Sequence, residues 1–304
     1  MNSLICACVV TYNPEIPQLK LNIESLISQV NRLIVVDNHS KNIDEVSKLC
    51  SNYQNTEVIS NSDNFGIAKA LNIGLEYAIN NGYPWLLTMD QDSLCDTNLI
   101  LQYKKYLDMP NIAIISPYIL NNNKVSFEEY KSMNLPDFEY ISSYGKCITS
   151  ASLINVEIAS KLKGFNDDLF IDCVDFDFNM KVLINGYKIL KVNTTYMFQK
   201  MGDGLEVGIF SFLYSITKLS VFRKVKVIAE YSNLRIYYIS RNSKWFRKHY
   251  NYNKGNCSTI NTFIVFTLYI LFYPLKRNRL DMLKAMFCGS KDAKNNILGK
   301  KILS

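Results

Sequence analysis

Short apolar runs alternate with stretches of helical periodicity through the first 117 residues. Strands are expected at Leu4–Val10, Leu33–Val36, Glu57–Ile59, Trp85–Thr88 and Ile112–Ile115, and helices near Gln18–Gln29, Asp44–Ser51, Gly66–Asn80 and Thr97–Leu107. Helices between consecutive strands predict a mostly parallel sheet covered on both faces, the α/β class. Gly66–Asn80 is the most regular helix, because Ala68, Leu71, Leu75 and Ala78 recur at helical spacing and Asn81-Gly82 stops it. From Leu120 to Tyr144 the chain turns polar and tyrosine-bearing, with a turn at Asn121–Asn123, and reads as an insertion over the sheet edge, such as an acceptor-facing loop. A helix at Val156–Leu162, an acidic segment at Asp167–Asp177, a helix ending at Asn185 and a strand at Lys188–Val192 complete this body. Its boundary is expected at Gly202-Asp203-Gly204, giving a catalytic domain over 1–204 and a helical basic and apolar extension over 205–304.

Charge sharpens that division. The 304 residues carry a formal charge of +7, but residues 1–204 are net −7 and residues 205–304 net +14. A strongly basic segment suggests an anionic partner surface. The eight cysteines include no C-x-x-C pair, which fits a reduced cytosolic chain. The first residues lack a basic region and cleavage site of the secretory kind, so the chain is expected to start inside the cell. The apolar run Ile260–Leu275 is shorter than the ~20 residues a bilayer span needs.

In an open parallel sheet, ligands sit at the carboxyl ends of the strands. Those ends carry Thr11-Tyr12-Asn13-Pro14, Asp37-Asn38-His39-Ser40, Asn61 through Asn64-Phe65-Gly66, and Asp90-Gln91-Asp92-Ser93. Any one of these also suits a turn or a helix cap. Asp90-Gln91-Asp92 says most, because two carboxylates follow the apolar Trp85–Met89 directly and a divalent ion would offset the cost of burying them. Mg²⁺ or Mn²⁺ takes one or two carboxylates plus substrate phosphates. A phosphate loop of the G-x-x-x-x-G-K-[ST] type and a G-x-G-x-x-G after the first strand are both absent, which disfavours ATPases and dinucleotide dehydrogenases. A nucleotide base near Asp37 and a diphosphate near a metal at Asp92 point to a nucleotide-activated donor. A second acidic group, Asp172, Asp175 and Asp177, lies among large apolar residues; it supplies either a general base or helix caps paired with Lys or Arg.

Thr11-Tyr12-Asn13-Pro14, Val35-Val36-Asp37-Asn38, Asn64-Phe65-Gly66-Ile67-Ala68 with Ala70-Leu71-Asn72-x-Gly74, and Leu87-Thr88-Met89-Asp90-Gln91-Asp92-Ser93 resemble glycosyltransferase family 2. Gly164-Phe165, Leu169-Phe170-Ile171-Asp172 with Val174-Asp175, Gly186-Tyr187 and Tyr237-Tyr238-x-x-Arg241-Asn242 are similar to its bacterial rhamnosyltransferase branch. The resemblance implies a GT-A fold and inversion at the anomeric carbon of a nucleotide sugar. It implies that Thr11, Asn13, Asp37 and Asn38 meet the nucleoside, and that Asn64, Gly66 and Lys69 line the ribose and diphosphate. Asp90 and Gln91 would support the donor, with Asp92 and Asp90 at the metal. Asp175 would deprotonate the acceptor hydroxyl, with Asp172 in the same motif. The family's histidine before a late glycine is replaced here by Gln199, whose carbonyl oxygen a hard ion also accepts.

The same resemblance names dTDP-rhamnose as donor, with a uridine diphosphate sugar as the alternative. The acceptor would be a hydroxyl of a glycan or polyprenyl-linked sugar in bacterial surface polysaccharide synthesis, such as O-antigen. A sugar-nucleotide pyrophosphorylase is disfavoured, since Thr11-Tyr12-Asn13-Pro14 stands where its Gly-rich, Arg-bearing loop would be. The aromatic and basic residues of 210–303 with the apolar Ile260–Leu275 favour the inner face of the cell membrane over nucleic acid. Packing against the body or against a second subunit, as a homo-oligomer, is the alternative for that segment.

Overall fold

The computed structural model describes residues 4–121, 125–199, 204–217, 219, 227–250, 262–273 and 275–301. Contacts divide the chain into two compact units. The first comprises Met1–Leu120, Glu128–Phe170 and Val174–Lys200, and the second Asn121–Phe127, Ile171–Cys173 and Met201–Ser304.

In the first unit β1 (Ile5–Thr11), α1 (Ile16–Leu26), β2 (Arg32–Asp37), α2 (Ile43–Cys50), β3 (Thr56–Ser60), α3 (Ile67–Asn80) and β4 (Trp85–Asp90) alternate. The four strands lie in the order β3-β2-β1-β4, all parallel. All residues of β1 except Val10 are buried, as a strand covered on both faces requires. Leu19, Ile23 and Leu26 of α1 share a core with Val46 of α2 and with Ile5, Ala7 and Val9 of β1. Helix α3 packs close to β1: a Cβ at Gly74 would come within 2.6 Å of the Cys8 sulfur, so only glycine permits the approach.

The rest of the sheet is mixed. β5 (Leu94–Cys95), α4 (Leu99–Tyr103), β6 (Ile112–Leu120), α5 (Phe127–Ser132), β7 (Phe138–Ile141), β8 (Ser152–Asn155), α6 (Val156–Lys161), α7 (Val174–Ile184) and β9 (Lys188–Phe198) follow in turn. β8 runs antiparallel between β4 and β6, β9 is parallel to β6, and β5 and β7 are antiparallel to β9. The segment expected as an insertion over the edge thus supplies a strand of the sheet. Its Phe138 packs edge-on against Tyr106 at 5.1 Å and Ile141 is buried, which anchors β7.

The second unit holds β10 (Gly204–Glu206), α8 (Gly208–Thr217), β11 (Val227–Ala229), α9 (Asn233–His249), α10 (Thr262–Phe272) and α11 (Arg279–Lys294). β10 and β11 form an antiparallel pair where only helices were expected. Ile236, Ile270, Met282 and Met286 form its core. Arg241, only 1% exposed, donates to the Gly299 carbonyl at 2.6 Å and to Asn242 Oδ1 at 2.8 Å, with Tyr238 under its guanidinium. Helix α10 is apolar on two sides: Ile270 enters the core, whereas Ile264, Leu268 and Leu271, on one stripe, are 44–53% exposed. Among the described residues no helix is long and apolar enough to cross a membrane. Asn122, Asn123, Gly202 and Asp203, and residues 260, 261 and 274 of the expected apolar run, lie outside the described residues.

Candidate active site

Four parallel strand ends of the first unit form one rim, and a web of side-chain amides and hydroxyls joins them. Thr11 Oγ1 donates to Asp37 Oδ1 at 2.8 Å, and Ser40 supplies its hydroxyl to the same oxygen at 2.5 Å and its backbone N–H to Oδ2 at 2.8 Å. Thr11 and Asp37 are wholly buried. The pair expected at the nucleoside therefore braces the β1 and β2 ends from within. Asn38 is also buried; its amide donates to the Gly66 carbonyl at 3.1 Å and accepts from Asn61 at 2.9 Å. Asn13 is exposed, with φ of 47°, and its Oδ1 accepts from the Lys41 N–H. Tyr12, 49% exposed, extends from the same turn.

The third strand end is shaped by Gly66, where φ is 86° and a Cβ would meet the Phe170 carbonyl at 2.5 Å. Asn64 Oδ1 accepts from the Gly66 N–H at 3.0 Å, and the Ile67 N–H donates to the Phe170 carbonyl at 2.7 Å, which sets the start of α3. Lys69 Nζ lies 3.5 Å from Asp167 Oδ2. Asn72, one turn on, grips the loop after α6: it donates to the Phe165 carbonyl and to Asp167, and accepts from the Phe165 N–H.

At the end of β4 the backbone is pinned and the carboxylates reach the partly exposed rim. Buried Asn22 donates to the carbonyls of Asp90 at 2.9 Å and Ser93 at 2.6 Å, and Gln18 donates to that of Asp92 at 3.3 Å. Gln91 ties this turn to the β1 end, accepting from the Tyr12 N–H at 2.8 Å. The β5–β9 ladder ends with Leu94 opposite Phe198, and the next residue, Gln199, donates its N–H to the Leu120 carbonyl at 3.0 Å. Among the described residues no group of three or more His, Cys, Asp or Glu could hold a metal. Asp90, Asp92 and the Gln199 amide carry hard oxygen donors, the kind Mg²⁺ or Mn²⁺ takes as a partial shell completed by phosphate oxygens and water.

The three acids after β8 separate. Asp177 is wholly buried and pairs with Lys181 one turn along α7, at 3.0 Å, so it holds the helix rather than a ligand. Asp175, in the first turn of α7, is partly exposed and lines a small cleft with Cys147, Thr149, Phe165 and Asn179. Its Oδ1 accepts from the Phe176 N–H at 2.9 Å. Asp172 belongs to the second unit. There its Oδ1 accepts from Arg235 at 3.2 Å, while its buried Oδ2 has no hydrogen-bond partner among the described residues. Burial raises the Asp172 carboxyl above its usual range, and the Arg235 guanidinium offsets this only in part.

Sequence reasoning passed over Asn22 and the grip of Asn72. A polar residue on the buried stripe of α1, between Leu19 and Ile23, was the available signal for Asn22.

A sheet whose parallel strand ends gather polar side chains and two carboxylates, followed by a partly exposed acid at a helix start, has the arrangement of a GT-A glycosyltransferase. The profile of Glycosyl transferase family 2 matches residues 6–171, more than half of the chain, and the protein belongs to that family. The dTDP-rhamnosyl transferase RfbF of Shigella flexneri is 29% identical over 212 residues, covering 67% of this chain and 71% of that protein. Among solved structures, GalNAc-T7 with UDP, GalNAc and Mn²⁺ superposes with a TM-score of 0.52 at 14% identity, over 64% of this chain and 43% of that one, a likeness of fold. S. aureus TarS 1–349 aligns over 97% of this chain and 89% of that one at 15% identity, with a TM-score of 0.49.

Proposed function

We propose that this glycosyltransferase moves L-rhamnose from dTDP-rhamnose, with inversion, to a hydroxyl of a glycan or polyprenyl-linked acceptor in bacterial surface polysaccharide synthesis. The observation that carries the donor assignment is the similarity to a dTDP-rhamnosyl transferase across two-thirds of the chain. The rim supports it: Tyr12 and Asn13, which follow the braced Thr11 in the chain, are exposed and free to meet a nucleoside base.

In this reading Asn64, Gly66 and Lys69 border the ribose and diphosphate. Asp92, with Asp90 and Gln199, would hold Mg²⁺ or Mn²⁺, which when bound neutralises charge on the departing diphosphate. Asp175 takes the proton of the acceptor hydroxyl as that oxygen bonds to the anomeric carbon. The bond from that carbon to the diphosphate oxygen breaks, and its electron pair leaves with the nucleoside diphosphate. The exposed stripe of α10, with the +14 charge of 205–304, supports a peripheral seat on the anionic inner face of the cell membrane.

A donor panel with Mg²⁺ or Mn²⁺ tests this reading, following release of nucleoside diphosphate and protection against thermal unfolding. dTDP-rhamnose is expected to stabilise the protein and to turn over with a suitable acceptor. Stabilisation by uridine donors alone would overturn the rhamnose assignment.

A further inference from the structure

Three successive carbonyls before α7 are each held by a hydrogen bond. That of Phe170 accepts from the Ile67 N–H at 2.7 Å. Those of Ile171 and Asp172 both accept from one side-chain amide, Asn242 Nδ2 of α9, at 2.7 and 2.9 Å. The backbone here is strained: φ is 64° at Phe170, 62° at Asp172 and 63° at Cys173. Left-handed conformations at residues with side chains cost on the order of 1–3 kcal/mol each and persist only when their surroundings over-determine them.

The surroundings that hold Ile171–Cys173 come from α9. Asn242 is fully buried, and its Oδ1 accepts from Arg241, whose guanidinium is fixed in turn by the Gly299 carbonyl. This orients the amide so that both carbonyls receive a proton donor. Arg235, two turns earlier on α9, holds the Asp172 carboxylate, and Ser243 lies 3.8 Å from the Cys173 sulfur. Arg241 and Asn242 thus occupy buried space and hydrogen-bonding capacity beyond what helix packing needs.

We infer that Asn242, oriented by Arg241, is a positioning residue for the transfer reaction. It keeps Asp172 and Cys173 in their left-handed conformations and so fixes where the chain enters α7 at Val174, one residue before the base Asp175. The inference rests on Asp175 being that base. A displacement of about 1 Å at a reacting group costs on the order of a hundredfold in rate, so a small relaxation of this segment is enough to be seen in turnover.

Asn242→Asp tests it, because aspartate keeps the size and the bond from Arg241 but cannot donate to the two carbonyls. Cys173, 8% exposed, reports on the segment through its rate of alkylation by iodoacetamide, read by mass spectrometry with the more exposed Cys288 as internal reference. The expected result has four parts: a thermal midpoint lower by a few degrees, unchanged dTDP affinity and donor KM, Cys173 alkylation faster by about tenfold or more, and kcat lower by about tenfold or more. Three results would each overturn it: full kcat with Cys173 freed, Cys173 protection left intact, or a fall in kcat matched by an equal fall in dTDP affinity. If Asn242→Asp does not fold, Arg235→Gln at a half-exposed side chain replaces it. A threefold or larger fall in kcat with faster Cys173 alkylation is then expected, and an unchanged kcat overturns the inference. Wild-type protein that bound no dTDP would defeat the donor assignment, while alkylation of Cys173 would still judge the clamp.

Discussion

Asn22, fully buried on α1, donates its side-chain amide to the backbone carbonyl of Asp90 at 2.9 Å, 68 residues away. The same amide reaches the Ser93 carbonyl, so one side chain sets the turn that presents both strand-end carboxylates. Asn22→Leu, close in volume, takes the side-chain donor from two carbonyls, at about 1–3 kcal/mol for loss of such a partner. A lower thermal midpoint is expected, by roughly 2–4 °C per kcal/mol for a chain of this size. Donor affinity should fall more in the presence of Mg²⁺ or Mn²⁺ than without it, as isothermal titration with dTDP can measure.

Asp175→Asn removes the proposed proton acceptor while keeping the shape of the first turn of α7. Transfer is expected to fall by about a hundredfold or more, the usual range for loss of a general base. Stabilisation by donor should persist in a thermal-shift assay. Undiminished turnover would remove Asp175 from its assigned role.

Asp172 should behave unlike an ordinary surface carboxylate. Its carboxyl is raised above the usual 3.8, chiefly by desolvation, so folding disfavours its ionised form. The folded state then binds more protons than the unfolded chain, and this group's contribution to stability falls as pH rises from its ordinary value through its raised one. Asp172→Asn keeps the oxygen that accepts from Arg235 and removes the buried charge. Its thermal midpoint is expected to equal or exceed that of wild type, with the difference growing as pH rises through that window. Turnover is expected to fall in the same variant. A midpoint several degrees lower at neutral pH would contradict this account.

The exposed stripe of α10 can be tested directly. Replacing Leu268 and Leu271 with glutamate adds charge to two half-exposed positions away from the core of the second unit. Loss of about 1.5–3 kcal/mol per leucine no longer buried in a bilayer predicts at least tenfold weaker binding to anionic vesicles. Flotation with phosphatidylglycerol vesicles measures it, and added salt should weaken the wild-type interaction as well. Failure of the intact chain to float with such vesicles would remove the membrane assignment.

The strands that sequence pattern locates best are those with helices on both faces, where nearly every residue must be apolar. Ile5–Thr11, Arg32–Asp37 and Trp85–Asp90 are of this kind, and their ends then name the rim. The short β5, β7 and β8 escape because their context is tertiary. Ser152–Asn155 pairs with β4 residues more than 60 positions away and with β6, and Phe138–Ile141 reads as part of a polar loop until β9 accepts it. The chemistry divides in the same way. Asp90, Asp92 and Asp175 announce themselves as carboxylates beside apolar runs. Asn22, Asn72 and Asn242 act through backbone groups distant in sequence, and no local spacing marks an amide for that work. Among the acids, spacing could not separate Asp175 from Asp177; complete burial and the Lys181 ion pair do.

The Asn242 amide also bears on how this protein can be divided. Cut after residue 200, the chain would keep every strand of the main sheet and lose the donor for the Ile171 and Asp172 carbonyls. The left-handed run at Asp172 and Cys173 would then relax toward commoner backbone conformations. Such a fragment is expected to fold around an intact donor rim and to bind nucleotide, yet to be catalytically poor. Coexpressing the remainder of the chain as a separate polypeptide, rather than adding more metal or donor, is what should restore its turnover.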